Sequence, residues 1–127
     1  MTWQKVLAID YGQKRVGLAL ATGPVVETKG FLENSSWRSL FSELVEICRE
    51  QKVEQVLLGL PQGSLEPEIR KFAKQLQKML KLKVVLTDET LSSHQAEQMI
   101  GYRDRKRIDS FSAAIILKQY LDLQESI

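Results

Sequence analysis

The chain has 127 residues, 27% of them charged and 43% apolar, with a formal net charge of +2. That length supports a real core in a single domain spanning residues 1–127, and the composition excludes a disordered or fibrous protein. No stretch is long or apolar enough to cross a bilayer and the first residues lack a signal-peptide pattern, so no membrane partner and a cytoplasmic location are expected.

In chain order, Lys5–Asp10 reads as a strand, and Arg15–Ala21 as a second strand across a short turn containing Gly12. Thr22-Gly23-Pro24 signals a turn, and Val25–Leu32 a third strand with partial alternation. Ser35 or Ser36 caps a helix whose buried stripe is Trp37, Leu40, Phe41, Leu44, Ile47 and Cys48. Cys48 is the single cysteine. Set among Leu44, Val45 and Ile47, it reads as a small buried hydrophobe with no partner for a disulfide or a thiolate metal site.

Val53–Leu60 suits a strand buried on both faces, ended by Gly59-Leu60-Pro61. A second helix begins near Pro67 and turns Ile69, Phe72, Ala73, Leu76 and Leu80 inward. Lys83–Thr87 is a fifth strand. Ser92 or Ser93 caps a third helix carrying Ala96, Met99 and Ile100, stopped by Gly101. A last helix runs from about Asp109, with Phe111, Ala114, Ile115, Tyr120 and Leu121 as its apolar positions.

Three strands joined by turns form an antiparallel meander, and each later strand follows a helix and pairs in parallel. Pairing the fourth strand with the first gives an α/β fold, a five-stranded mixed sheet of order 3-2-1-4-5 with helices on both faces. The first strand is then the centre, where the chain departs in opposite directions. Sites of α/β sheets lie beyond the carboxyl ends of strands at such a switch point.

Asp10 sits at that end. Alone, an Asp before Tyr11-Gly12 is a turn former. The fifth strand, however, also runs into acids, Asp88-Glu89, and two strands pointing the same way hold Asp10 and Glu89 on one edge. Asp109 is the third acid. It suits a helix cap, yet the apolar helix behind it can lie on the sheet and bring it to the same edge. Three converging carboxylates repel unless a cation neutralises them. Oxygen donors without a Cys/His cluster select Mg²⁺ or Mn²⁺. A pair of such ions about 4 Å apart activates a water and stabilises the leaving oxygen of a phosphodiester. His94, the single histidine, reads as a residue of a helix's first turn.

The stretches AIDYGQKRVGLALA, VLLGLPQG, TDETLSSHQAE and KRIDSFSAAIILKQYL, in this order, resemble the YqgF (RuvX) family. That resemblance covers nearly the whole chain. It implies an RNase H-like fold and a nuclease that resolves Holliday junctions or matures the 5′ end of pre-16S ribosomal RNA. It implies Asp10, Glu89 and Asp109 as catalytic acids and metal ligands. It also matches Gly12 and Gly17 to the glycines, and Lys14 and Arg15 to the basic positions, of the first motif. Thr90 stands where the family usually has Arg, and the loop from Gln62 to Pro67 is short.

Beside such a site, the cluster Arg103, Arg105, Lys106 and Arg107 steers a phosphate backbone rather than forming a plain solvated loop. Gly12, Lys14 and Arg15 join it as candidate nucleic-acid contacts. Tyr11 and Tyr102, beside turns, read as packing residues rather than base-stacking platforms. The expected partner is structured RNA or branched DNA, and with no long exposed apolar stripe the chain is expected to be a monomer or weak homodimer. Two other readings stand beside this one. One is a non-catalytic nucleic-acid-binding module acting in ribosomal RNA maturation or transcription. The other is ATP binding, as in the sugar kinase, chaperone and actin superfamily, whose members close two such domains over nucleotide while this chain has room for one.

Overall fold

Both faces of β1 (Lys5–Asp10) are apolar along Val6–Ile9, which is what a strand needs to sit at the centre of a sheet covered on both sides. In a computed structural model, which describes residues 4–60, 63–88 and 113–118, it does so. β2 (Arg15–Thr22) and β3 (Val25–Glu33) extend it as an antiparallel meander. β4 (Gln55–Leu60) pairs with the other side of β1 in parallel, and β5 (Lys83–Asp88) pairs with β4 in parallel. The order β3-β2-β1-β4-β5 is the expected one.

Strand alternation divides the core in two. Leu7, Ile9, Val16, Leu18, Val56 and Leu58 meet α1 (Trp37–Glu50) and α2 (Glu66–Leu80) on one face. Val6, Ala8, Ala19, Ala21 and Leu57 meet the helical residues 113–118 on the other. The small side chains of that second face let the helix backbone come close. β3 is mostly exposed and carries a bulge, where Lys29 and Gly30 oppose Leu18 alone. Gly30 takes φ +79° there, and the bulge interrupts an edge that would otherwise template pairing with another chain.

Two expectations are corrected. The fourth strand starts at Gln55, not Val53, because Val53 closes the preceding helix. Its N–H donates to the Cys48 carbonyl (2.9 Å) and the Lys52 N–H to Arg49 (3.3 Å), the paired bonds of a Schellman motif with Lys52 left-handed at φ 55°. Lys52→Gly is expected to raise stability by about 0.5–1 kcal/mol, read as a higher urea midpoint, because glycine adopts this conformation without the clash a Cβ brings. The second correction concerns the last helix, which buries Ala113, Ile116 and Leu117 and leaves Ala114 and Ile115 half-buried. Five consecutive apolar residues define no phase. The third helix expected from Ser92 or Ser93 lies outside the described residues, as does the start of the last helix at Asp109.

Candidate active site

Asp10 continues the series Val6, Ala8 on β1 and so belongs to the sheet face that receives residues 113–117. It is 8% exposed, one of two buried polar residues among those described. Its partner across β2 is Gly17. On the other side, one step beyond the Ile9–Leu58 pair, β4 presents Gly59. A carboxylate at the carboxyl end of the central strand is thus flanked on both neighbouring strands by residues without side chains. Neither glycine places a side chain beside Asp10 on that face of the sheet.

The next residue turns to the opposite face and is pinned there. Tyr11 is 5% exposed, its ring 4.9 Å from Phe72. Its hydroxyl donates to Glu68 Oε2 at 2.6 Å and accepts from Trp37 Nε1 at 3.0 Å. Asn34 closes the turn, its Nδ2 donating to the Gly12 carbonyl (2.8 Å) and its backbone N–H to the Lys14 carbonyl (2.9 Å). Asp10 is therefore held by two strand ladders on its N-terminal side and by a side-chain lock on its C-terminal side. An open cleft of about 620 Å³ lies over that lock, lined by Tyr11, Asn34, Trp37, Glu68 and Lys71 among others, on the far face from Asp10.

Burial, with the hydrogen bond to Glu68 second, raises the Tyr11 pKa above its ordinary 10.0. The folded state then holds the phenol proton more tightly than the unfolded one. This contribution is full below pH 10 and is lost as pH rises through the alkaline range. Tyr11→Phe is expected to flatten the alkaline fall in thermal midpoint; an unchanged profile would show that the phenol is not coupled to folding.

Gly12 is required by packing within the turn. A Cβ there would lie 2.5 Å from the Arg15 carbonyl oxygen, a backbone atom that cannot step aside alone. Gly12→Ala is expected to cost about 1–3 kcal/mol in urea unfolding, since the hairpin must open to admit the methyl group.

Of the sequence candidates, Lys14 is exposed at the hairpin tip and Arg15 is half-buried, opposite Glu33 on β3. Glu89, Asp109, Arg103, Arg105, Lys106 and Arg107 lie outside the described residues, as do Thr90, His94 and Tyr102. Among the described residues no group of three or more His, Cys, Asp or Glu could hold a metal ion; Asp10 is the triad's described member. Burial pushes the Cys48 thiol up to about 11, which matches its reading as an inert core residue. Tyr11 likewise packs, as expected. Sequence reasoning missed the flanking role of Gly59 and the lock formed by Asn34, Trp37 and Glu68. A glycine inside an otherwise leucine- and valine-rich strand was the available signal for the first; nothing local announces the second.

A five-stranded mixed sheet of this order with helices on both faces is an RNase H-like fold. Over 97% of this chain the fold matches 96% of a Thermus thermophilus RuvC solved in complex with a Holliday junction substrate, with TM-score 0.65 and 13% identity. The family model described as "RuvX: Holliday junction resolvase" matches residues 4–123, and the chain belongs to that family. Relatives include a protein of Maridesulfovibrio salexigens, 39% identical over 92% of this chain and 97% of its own length. Another is from Syntrophomonas wolfei, 36% identical over 93% of this chain and 94% of its own. Both carry the name of a candidate pre-16S rRNA nuclease. No helix among the described residues is long and apolar enough to cross a membrane.

Proposed function

We propose that this protein is a metal-dependent endonuclease that hydrolyses phosphodiester bonds of structured nucleic acid, with Asp10, Glu89 and Asp109 as its metal-binding acids. The observation that carries the reading is the buried Asp10 carboxylate at the end of the central strand, with glycines on both sides. Family membership and the shared name of the relatives support it independently.

Two features of the fold favour these partners for Asp10. Val85 of β5 packs into the core on Asp10's side of the sheet, whereas Val84 and Leu86 pack on the other. Val85 and Thr87 of that strand share Asp10's side of the sheet, and Glu89, two residues further on in the sequence, is taken as the second acid. The helical residues 113–118 pack on the same face, and Asp109 precedes them by four positions in the sequence. A donor set of carboxylate oxygens fits Mg²⁺ or Mn²⁺. Two such ions, when bound, activate a water and stabilise the leaving oxygen of a phosphodiester. The chain's own part is to hold Asp10 rigidly through the Tyr11 lock and to leave room at Gly17 and Gly59. It also supplies positive charge for the backbone from Lys14, Arg15, Arg103, Arg105, Lys106 and Arg107.

The test offers purified protein a precursor 16S rRNA and a four-way DNA junction, with Mn²⁺ and with chelator. Metal-dependent cleavage of either is expected, and its identity names the substrate. Binding of both without cleavage in any metal would overturn the nuclease reading in favour of a binding module.

A further inference from the structure

A second surface is built between α2 and the edge strand β5. A groove of about 850 Å³ runs there, its rim carrying Arg70, Lys71, Lys74 and Lys78 and its floor Val84 and Leu86. The four basic residues are exposed, while Val84 and Leu86 are half-buried. Arg70 pairs with Glu66 at 2.9 Å; among the described residues the three lysines form no ion pair. The Gln77 side chain accepts from the backbone N–H of Val84 at 3.4 Å, tying the helix to the strand and setting the groove's width.

We propose that this groove binds a single strand of the nucleic-acid substrate, leading it away from the catalytic edge. The inference rests on the nuclease reading and adds a binding site to it. Arg70, Lys74 and Lys78 recur every four residues, so they stand in one line about 6 Å apart and about 12 Å long. That length spans about three to four stacked nucleotides of one strand. A regular line of cations over an apolar floor matches a polymer with one negative charge per unit and base faces to shelter. A two-fold pairing of this groove with itself does not fit, because it would set basic rim against basic rim. Pro67 and Lys71 line both this groove and the cleft over Tyr11, so the path begins beside the hairpin that follows Asp10.

Fluorescence anisotropy with a labelled single-stranded RNA, in chelator and over a range of salt, tests the groove. Lys74→Gln/Lys78→Gln is expected to weaken binding about tenfold and to make the log–log salt slope shallower by about 1.4, two phosphate contacts at 0.7 each. Lys74→Arg/Lys78→Arg should bind as the parent does. A second pair, Lys71→Gln/Lys78→Gln, should repeat the loss, and equal urea midpoints confirm that the fold is kept. Unchanged affinity and slope would overturn the proposal. So would a loss seen only with polyglutamate, which would assign the groove to an acidic protein. Because no cleavage is read, failure of the wild type to cut nucleic acid would sink the nuclease reading while leaving this result to stand by itself.

Discussion

Asp10→Asn is expected to reduce cleavage by at least about 10³-fold, because charge stabilisation by a bound metal is worth several kcal/mol and each ~1.4 kcal/mol is tenfold in rate. The substitution keeps the shape of the side chain and the strand ladder, so circular dichroism should show the fold unchanged. What it removes is the negative oxygen that a hard cation requires. The cost is expected to be large because Asp10 sits on the central strand of the sheet, paired on both sides. The turn after it is also locked, so the carboxylate's position is fixed from both ends of the strand. A variant that retains a tenth or more of the wild-type rate would remove Asp10 from the chemistry.

Phe72→Ala is expected to cost about 3–5 kcal/mol, a large share of the total stability of a domain, typically about 5–15 kcal/mol. Phe72 is fully buried, with ring centroids 4.9 Å from Tyr11, 5.1 Å from Phe41 and 5.5 Å from Trp37. Its removal opens a cavity at the meeting point of α1, α2 and β1 and takes three aromatic contacts with it. The same residue backs Tyr11, and through Tyr11 the end of β1. Urea unfolding gives the stability loss directly. A cost below about 1 kcal/mol would mean that α1 and α2 collapse into the space, contrary to the close ring contacts around Phe72.

The sheet order was legible because each strand carried its own signal. Three turn-linked runs led to the meander, and two helix-preceded runs led to the parallel pair. The place of Asp10 at the end of the central strand was legible for the same reason, since the order puts that strand at the centre. Limits appeared where local pattern is silent. Val53 is β-branched and precedes a strand, yet its N–H is spent on the helix end, a bond no periodicity reports. Ala113 to Leu117 are apolar without a break, so the buried phase was set by the sheet's alanine floor rather than by the helix. The Tyr11–Glu68 bond joins residues 57 positions apart, and only the folded chain brings them together. Gly59 gains its meaning from register, because one step along β4 decides whether it lies beside Asp10.

The central claim is that Asp10, Glu89 and Asp109 form one cation site. Titration calorimetry of Mn²⁺ into the wild type and into Asp10→Asn, Glu89→Gln and Asp109→Asn tests it most directly. A saturable binding heat is expected in the wild type, and each single substitution should abolish or greatly weaken it, since every ligand would serve the same ion or pair of ions. Equal binding by wild type and all three variants would contradict it.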